Sequence, residues 1–336
     1  MKKFFFSILA VGAIVACTKS EVKYEGESEI AFVPVTSNVT KANVLNAIDG
    51  TTYPVDETFK VFAYWQLLDA GTDHSAFTAP ADYIAGKEFA KATDGTLWRG
   101  VGKSYYWPKT GSMVFACLSP NSDPQLTGVE HDVVNDNFSF SYVSPNAGGK
   151  VVPSKTVDVM WTDATVSYNE AAAKDGVPVT FKHALSWITF KVFGDEITSG
   201  GNFVINSLTM NKVNIMGKFT SNDRKWNNIS TENSFPVFVG EKSLTTEPAV
   251  IENVDRGTLV IPQVKADTDL TNYTATIEFT NNLGDEVIKE VVNVNLGRGW
   301  EIGKHYTYTI KFTTSEILIE PEMEDWIEVD GGTQIF

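Results

Sequence analysis

The chain has 336 residues, with 27 Lys and Arg against 42 Asp and Glu and a formal net charge of −15, which excludes nucleic-acid binding through a broad basic surface. Hydrophobic residues make up 43% and aromatic ones 12%, enough to bury a core and too much for a disordered chain. At roughly 100–200 residues per domain, the length fits two domains.

Met1-Lys2-Lys3 gives a positive start, and residues 4–15 form an apolar run of signal-peptide length, short of the ~20 residues that a membrane-spanning helix needs. The run ends in Ile14-Val15-Ala16-Cys17, which resembles a bacterial lipobox: small residues admit the signal peptidase and the Cys17 thiol receives the lipid. Residues 1–17 are thus expected to leave as a leader, with Cys17 as the lipidated mature start and no route to a bridge with Cys117. A plain secretory signal is the alternative, because Ile14 stands where a Leu is expected. A polar spacer, 18–28, leads to the strand-like segment Glu29-Ile30-Ala31-Phe32-Val33-Pro34-Val35.

Beyond it the chain reads as strands. Residues 58–65, 187–192 and 273–280 carry period-two alternation or dense β-formers, and Tyr273, Ala275, Ile277 and Phe279 share one face. Turn residues at 281–285 precede a second run at 286–294, so this pair reads as a hairpin. Helical signal is confined to about a turn and a half at 169–174. The expected fold is all-β, two antiparallel β-sandwich domains at 18–180 and 181–336, divided at the Gly176-Val177-Pro178 loop. Stretches 69–91 and 145–155, rich in Gly, Pro, Ala and Asp, read as surface loops.

No catalytic constellation emerges. The four histidines at 74, 131, 183 and 305 stand far apart and no Cys-x-x-Cys occurs, so no metal or other cofactor is expected. Cys117, inside Met113-Val114-Phe115-Ala116-Cys117-Leu118, reads as a small buried hydrophobe. Nucleophile elbow, phosphate loop and dinucleotide fingerprint are missing, and Ala147-Gly148-Gly149-Lys150 is a turn. Acids such as Glu301, Glu316 and Glu320 read as solvated, since the chain has many, and the chain does not read as an enzyme. The eight tryptophans read as core. Trp65, Trp98 and Trp226 are the ones that an alternative, a surface glycan-binding lipoprotein, would use as a sugar platform.

Taken in order, several segments resemble the fimbrillin-like lipoproteins of Bacteroidales, the subunits of lipoprotein-derived pili. They are Tyr105-Tyr106-Trp107-Pro108, Val157-Asp158-Val159-Met160, Phe181-Lys182-His183-Ala184-Leu185-Ser186-Trp187, Leu259-Val260-Ile261-Pro262-Gln263, Gly303-Lys304-His305-Tyr306 and the stretch around Asp325-Trp326. The resemblance implies transthyretin-like sandwiches and a surface pilus subunit that supports adhesion. It implies a precursor held at the outer membrane by its lipid, a trypsin-like maturation protease, and loss of the first strand. The groove so opened would take a C-terminal strand of another subunit by β-strand addition.

Carried onto this sequence, the cut falls in Thr40-Lys41-Ala42, after Lys41 and before Ala42, with Lys23 as the fallback and an uncut loop as the alternative. The donor segment is 315–336. Ser315-Glu316-Ile317-Leu318-Ile319-Glu320-Pro321 and Asp325-Trp326-Ile327-Glu328-Val329 read as two runs split at the proline, with Trp326, Ile327, Val329 and Phe336 as plugs. The partners this implies are other pilus subunits, the protease and a host or glycan ligand.

Overall fold

The computed structural model describes residues 28–35, 53–69, 72–78, 83–93, 95–167, 175–253, 257–266, 268–269, 271–282 and 287–326. The helical turn expected at 169–174 lies outside them. β1 (Phe32–Val35), β2 (Thr58–Gln66), β3 (Ile84–Lys91), β4 (Trp98–Gly100) and β5 (Ser112–Ser119) come first. β6 (Leu126–Asp132), β7 (Asn137–Val143), β8 (Asn146–Ala147) and β9 (Lys150–Val151) follow. Next are β10 (Met160–Trp161), β11 (Thr165–Ser167), β12 (Val177–Thr180) and β13 (Lys182–His183). β14 (Ser186–Gly194), β15 (Phe203–Thr220), β16 (Lys225–Ser243), β17 (Ala249–Val250), β18 (Thr258–Val260) and β19 (Gln263–Val264) open the second half. β20 (Tyr273–Asn281), β21 (Ile288–Gly297), β22 (Gly299–Trp300), β23 (Lys304–Phe312) and β24 (Ile317–Asp325) complete it. The fold is all-β, and no helix among the described residues is long and apolar enough to cross a membrane.

A nine-stranded sheet runs β12-β1-β4-β3-β2-β5-β10-β13, with β11 on β5. Its two end strands are separated in the chain by Phe181 alone, so the sheet curls until its ends meet. The rings of Phe32, Phe59, Phe89, Phe115, Trp98 and Trp107 fill the space it encloses. β5 is buried at all eight positions: Met113, Phe115 and Cys117 face that interior, while Ala116 and Leu118 face a second cluster with Phe138, Phe140 and Trp161. Covered on both faces, β5 carries a continuous apolar run instead of an alternation. Burial pushes the Cys117 thiol up, which suits a packing role and not a reactive one.

An eight-stranded sheet, β21-β20-β15-β16-β9-β8 with β7 on β15 and β6 on β7, packs against a five-stranded one, β17-β14-β23-β24 with β18 on β14. Tyr273, Ala275, Ile277 and Phe279 all point into the core between them, as their alternation requires. β14 and β23 run parallel over eight residues, Trp187 beside His305 through Gly194 beside Phe312, which only the long return through β15–β22 permits.

Three segments differ from the sequence reading, the first being 145–155, read as a loop, which holds the short strands β8 and β9. β3 lies within 69–91, read as a loop, and pairs with both β2 and β4. A register shift between Val61 and Phe62 breaks the alternation, so its buried Ile84 and Phe89 are an odd number of residues apart. β24 runs unbroken through Pro321; as an edge strand it accommodates a residue with no N–H where that group would meet solvent.

Tyr308 links three strands inside the C-terminal core. Its hydroxyl accepts the Trp300 indole N–H at 2.9 Å and donates to the Leu296 carbonyl at 2.7 Å. Tyr308→Phe strands both partners away from water and is expected to cost ~1–3 kcal/mol, read as a lowered urea midpoint with the slope unchanged. An unshifted midpoint would show that the bonded pair contributes nothing.

Candidate functional site

Of the site residues expected from sequence, Cys17, Lys41, Ala42, Ile327, Val329 and Phe336 lie outside the described residues. Trp326 lies inside them and is 4% exposed. None of the eight tryptophans is exposed: Trp98 is buried at 3%, and Trp65 and Trp226 are half-buried against core clusters. Of the three proposed for a sugar platform, Trp98 is thus buried, while Trp65 and Trp226 keep part of their surface open as they pack on the core.

The strand expected to leave, β1, sits in a slot between β12 and β4. It pairs parallel to β12, Phe32 beside Val177 through Val35 beside Thr180, and touches β4 only where Phe32 meets Trp98. Just upstream, the Ile30 N–H donates to the Tyr105 carbonyl at 2.7 Å and the Trp107 N–H to Ser28 at 3.2 Å. This ladder is short, four residues long, with the Val177 N–H donating to the Ala31 carbonyl at 2.8 Å, and Pro34 and Pro178 are tolerated because they alternate with the residues that bond across it. Gly176, at φ +88, opens β12 here, and a Cβ on it would strike Val33 and Leu97, so the close approach of the two strands needs glycine.

Side chains add to the hold on β1. Ile30 and Phe32 are fully buried and Ala31 nearly so. The Phe32 ring stands edge-on to Phe59, Phe89 and Phe115, with centroids at 5.9, 5.1 and 5.3 Å and planes near perpendicular, the favoured aromatic geometry. Outside this socket the Arg99 guanidinium meets the Glu29 carboxylate at 3.1 Å, while its buried Nε has no hydrogen-bond partner among the described residues.

The other end of the chain is anchored differently. β24 pairs with β23 along its whole length, an ion pair joins Lys304 to Asp325, and the Trp326 N–H donates to Gly303 at 2.9 Å. The Trp326 ring stacks on His183 at 3.6 Å and 13°, and the Asp158 carboxylate holds the His183 Nδ1 at 3.0 Å. His183 is thus a hydrogen-bonded packing residue. Beside it Trp187 stacks on His305 at 3.8 Å, and His305 bonds to Glu324 at 2.8 Å. A shallow cleft of about 560 Å³ opens here over Thr189, Lys191, Thr307 and Glu322, with the Trp187 face taken by His305.

His131 fits between the Tyr64 hydroxyl at 2.9 Å and Asp136 at 3.3 Å, and its side chain is wholly buried. Among the described residues no three His, Cys, Asp or Glu side chains converge to hold a metal ion. Neither cysteine arithmetic nor spacing could have revealed the Phe32 socket, because its walls come from β2, β3 and β5, and only the density of Phe in those segments hints at it.

Two outcomes follow for this region. Phe32→Ala removes the ring from its socket and is expected to cost ~3–5 kcal/mol, read in urea unfolding; a loss under ~1 kcal/mol would mean that the backbone ladder holds β1. Glu57, beside Trp98, has its carboxyl pushed up from 4.5 to about 7 by burial and then by the Asp158 charge. With the folded value above the unfolded one, its stabilising effect is complete below pH 4.5 and is lost as pH rises to about 7. Glu57→Gln should flatten the stability profile across that window, and an unchanged slope would discount this carboxyl.

Comparison with known proteins identifies the family. No curated protein matches the chain. A crystal structure of a candidate cell adhesion protein from Bacteroides uniformis superposes with a TM-score of 0.54 at 12% identity, covering 89% of this chain and 99% of that one. One of a fimbrial protein from Bacteroides vulgatus gives 0.54 at 14% identity, covering 89% and 100%. At such identities these two establish likeness of fold. The family model described as fimbrillin-like matches residues 40–326, and the chain belongs to the fimbrillin-like family.

Proposed function

We propose that this protein is a structural, non-catalytic subunit of a bacterial surface pilus that supports adhesion. It is exported with a lipid on Cys17 that holds it at the outer membrane, cut after Lys41 by a trypsin-like protease, and polymerised by β-strand addition with other pilus subunits. Family membership supports the pilus reading, and the two similar crystal structures support the fold on which it depends.

The observation that carries the mechanism is the way β1 is held. It precedes Lys41 in the chain, so a cut there leaves it joined to the body by non-covalent contacts alone. Its ladder is four residues long, and its Phe32 ring is seated among three phenyl rings. Departure would leave β12 with an unpaired edge and the phenyl rings around an open groove, the two features that strand addition uses: main-chain bonds for affinity, pockets for specificity. Unpaired backbone beside an apolar groove is unstable in water, which favours capture of another chain.

The test is mass spectrometry of the N-terminus of the native protein before and after a trypsin-like protease, with gel electrophoresis of the products. Processing to an N-terminus at Ala42, accompanied by polymer ladders, is the expected result. A chain that keeps its lipid on Cys17 and forms no ladder under protease would sink the reading.

A further inference from the structure

We propose that the outward face of the eight-stranded sheet, where β21, β20, β15 and β16 lie side by side, is an interface that packs against the same face of a second copy of this chain. The inference is independent of strand replacement, which works through β1 and the first sheet, and it applies to the chain before any cut.

The register fixes which residues share this face. Tyr273, Ala275, Ile277 and Phe279 point into the core, so the residues between them on β20 point out. Pairing carries the face across the sheet: Val291, Glu278, Ser207 and Val239 form one row, and Asn293, Thr276, Thr209 and Pro236 form the next. The rows on either side run through Asn211 and through Lys289.

Charge, hydrogen bonding and area all suit this face to a copy of itself. Its rows hold one acid, Glu278, and one base, Lys289, in a chain of net charge −15. Two copies repel over most of their surface, and least here. On the other side of the same sandwich β24 turns Glu320, Glu322 and Glu324 outward, since Ile319 packs on the core, and a symmetric pair there would set acid against acid. The polar groups of the proposed face already bond to one another. The Asn211 Nδ2 donates to the Thr276 hydroxyl at 2.9 Å, which donates to the Asn293 side-chain carbonyl at 2.7 Å. Covering them costs less than covering groups that rely on water, and such side-chain ladders hold a sheet flat. Val239 and Val291, 62% and 66% exposed, supply apolar surface at the two ends of the row through Glu278. Four strands ~4.8 Å apart and four rows ~6.8 Å apart cover roughly 500 Å². A two-fold pair, in which each copy presents the same patch, therefore buries about 1,000 Å², the threshold for a specific interface.

The experiment is sedimentation of the uncut, lipid-free polypeptide 18–336, which holds every described element, over a range of concentrations at low and high salt. A dimer is expected whose affinity rises with salt, because screening relieves the repulsion between like-charged copies. Val291→Lys and Val239→Lys each carry a charge into the buried face and are expected to weaken the dimer at least about tenfold, even though both lower the net negative charge. Leu318→Lys makes the same charge change on the outward side of β24, where Leu318 is 41% exposed, and is expected to leave the dimer intact or tighten it. All three positions are exposed, and thermal midpoints check that the variants fold. A chain that stays monomeric at every concentration overturns the proposal. So does a dimer that survives either valine substitution, that Leu318→Lys weakens equally, or that salt dissociates. Strand addition needs the protease cut, so each of these outcomes leaves it standing.

Discussion

A single phenyl ring, Phe32, standing edge-on among Phe59, Phe89 and Phe115, closes the interior of the first sheet. That sheet can curl until β12 and β13 almost meet because rings fill the enclosed space; without them the curl would wrap a void. Each edge-on pair adds ~0.5–1.5 kcal/mol beyond the area it buries, a hold on β1 that adds to its four-residue ladder. A strand held by a side chain in a rigid pocket is exchangeable in a way that a strand held by a full ladder is not.

The two ends of the described chain are thus built on opposite principles. β1 has a short ladder and a ring buried in the core, whereas β24 has a long ladder, is exposed along its outward side, and is pinned where Trp326 enters the core. That core is shared: Ala116, Val157 and Trp161 from before residue 180 meet Leu259, Ile261 and Trp326 from after it, and β7 extends the sheet of β15. Displacing Trp326 would disturb both halves of the molecule, while displacing β1 disturbs the first sheet alone.

How much of this the sequence discloses depends on whether the cause is local. β2, β14 and β20 are legible because one buried face imposes a period of two, and the covered β5 is legible as an unbroken apolar run. β3 is not, since a bulge in its pairing with β2 puts Ile84 and Phe89 out of phase, and β24 reads as two pieces because proline looks like a break wherever its free edge is unknown. The pairing of β1 with β12, the ring socket and the stacking of Trp326 on His183 leave no local trace, because their partners lie far along the chain. The leader, lipidation and processing readings at residues 1–17 and Lys41 are the reverse case: they rest on composition and short motifs that lie outside the described residues.

The parallel pairing of β1 with β12 also fixes an order of assembly. Phe32 cannot meet Val177 until the chain between them exists and has collapsed, and the entropy of closing so long a loop opposes an early encounter. β2, β3 and β5 meet through much shorter separations and can form the socket walls first. β1 is therefore the closing element of its sheet, docking onto a scaffold already made. By the same logic it is the natural site of first opening, a low-stability unit on an otherwise cooperative body.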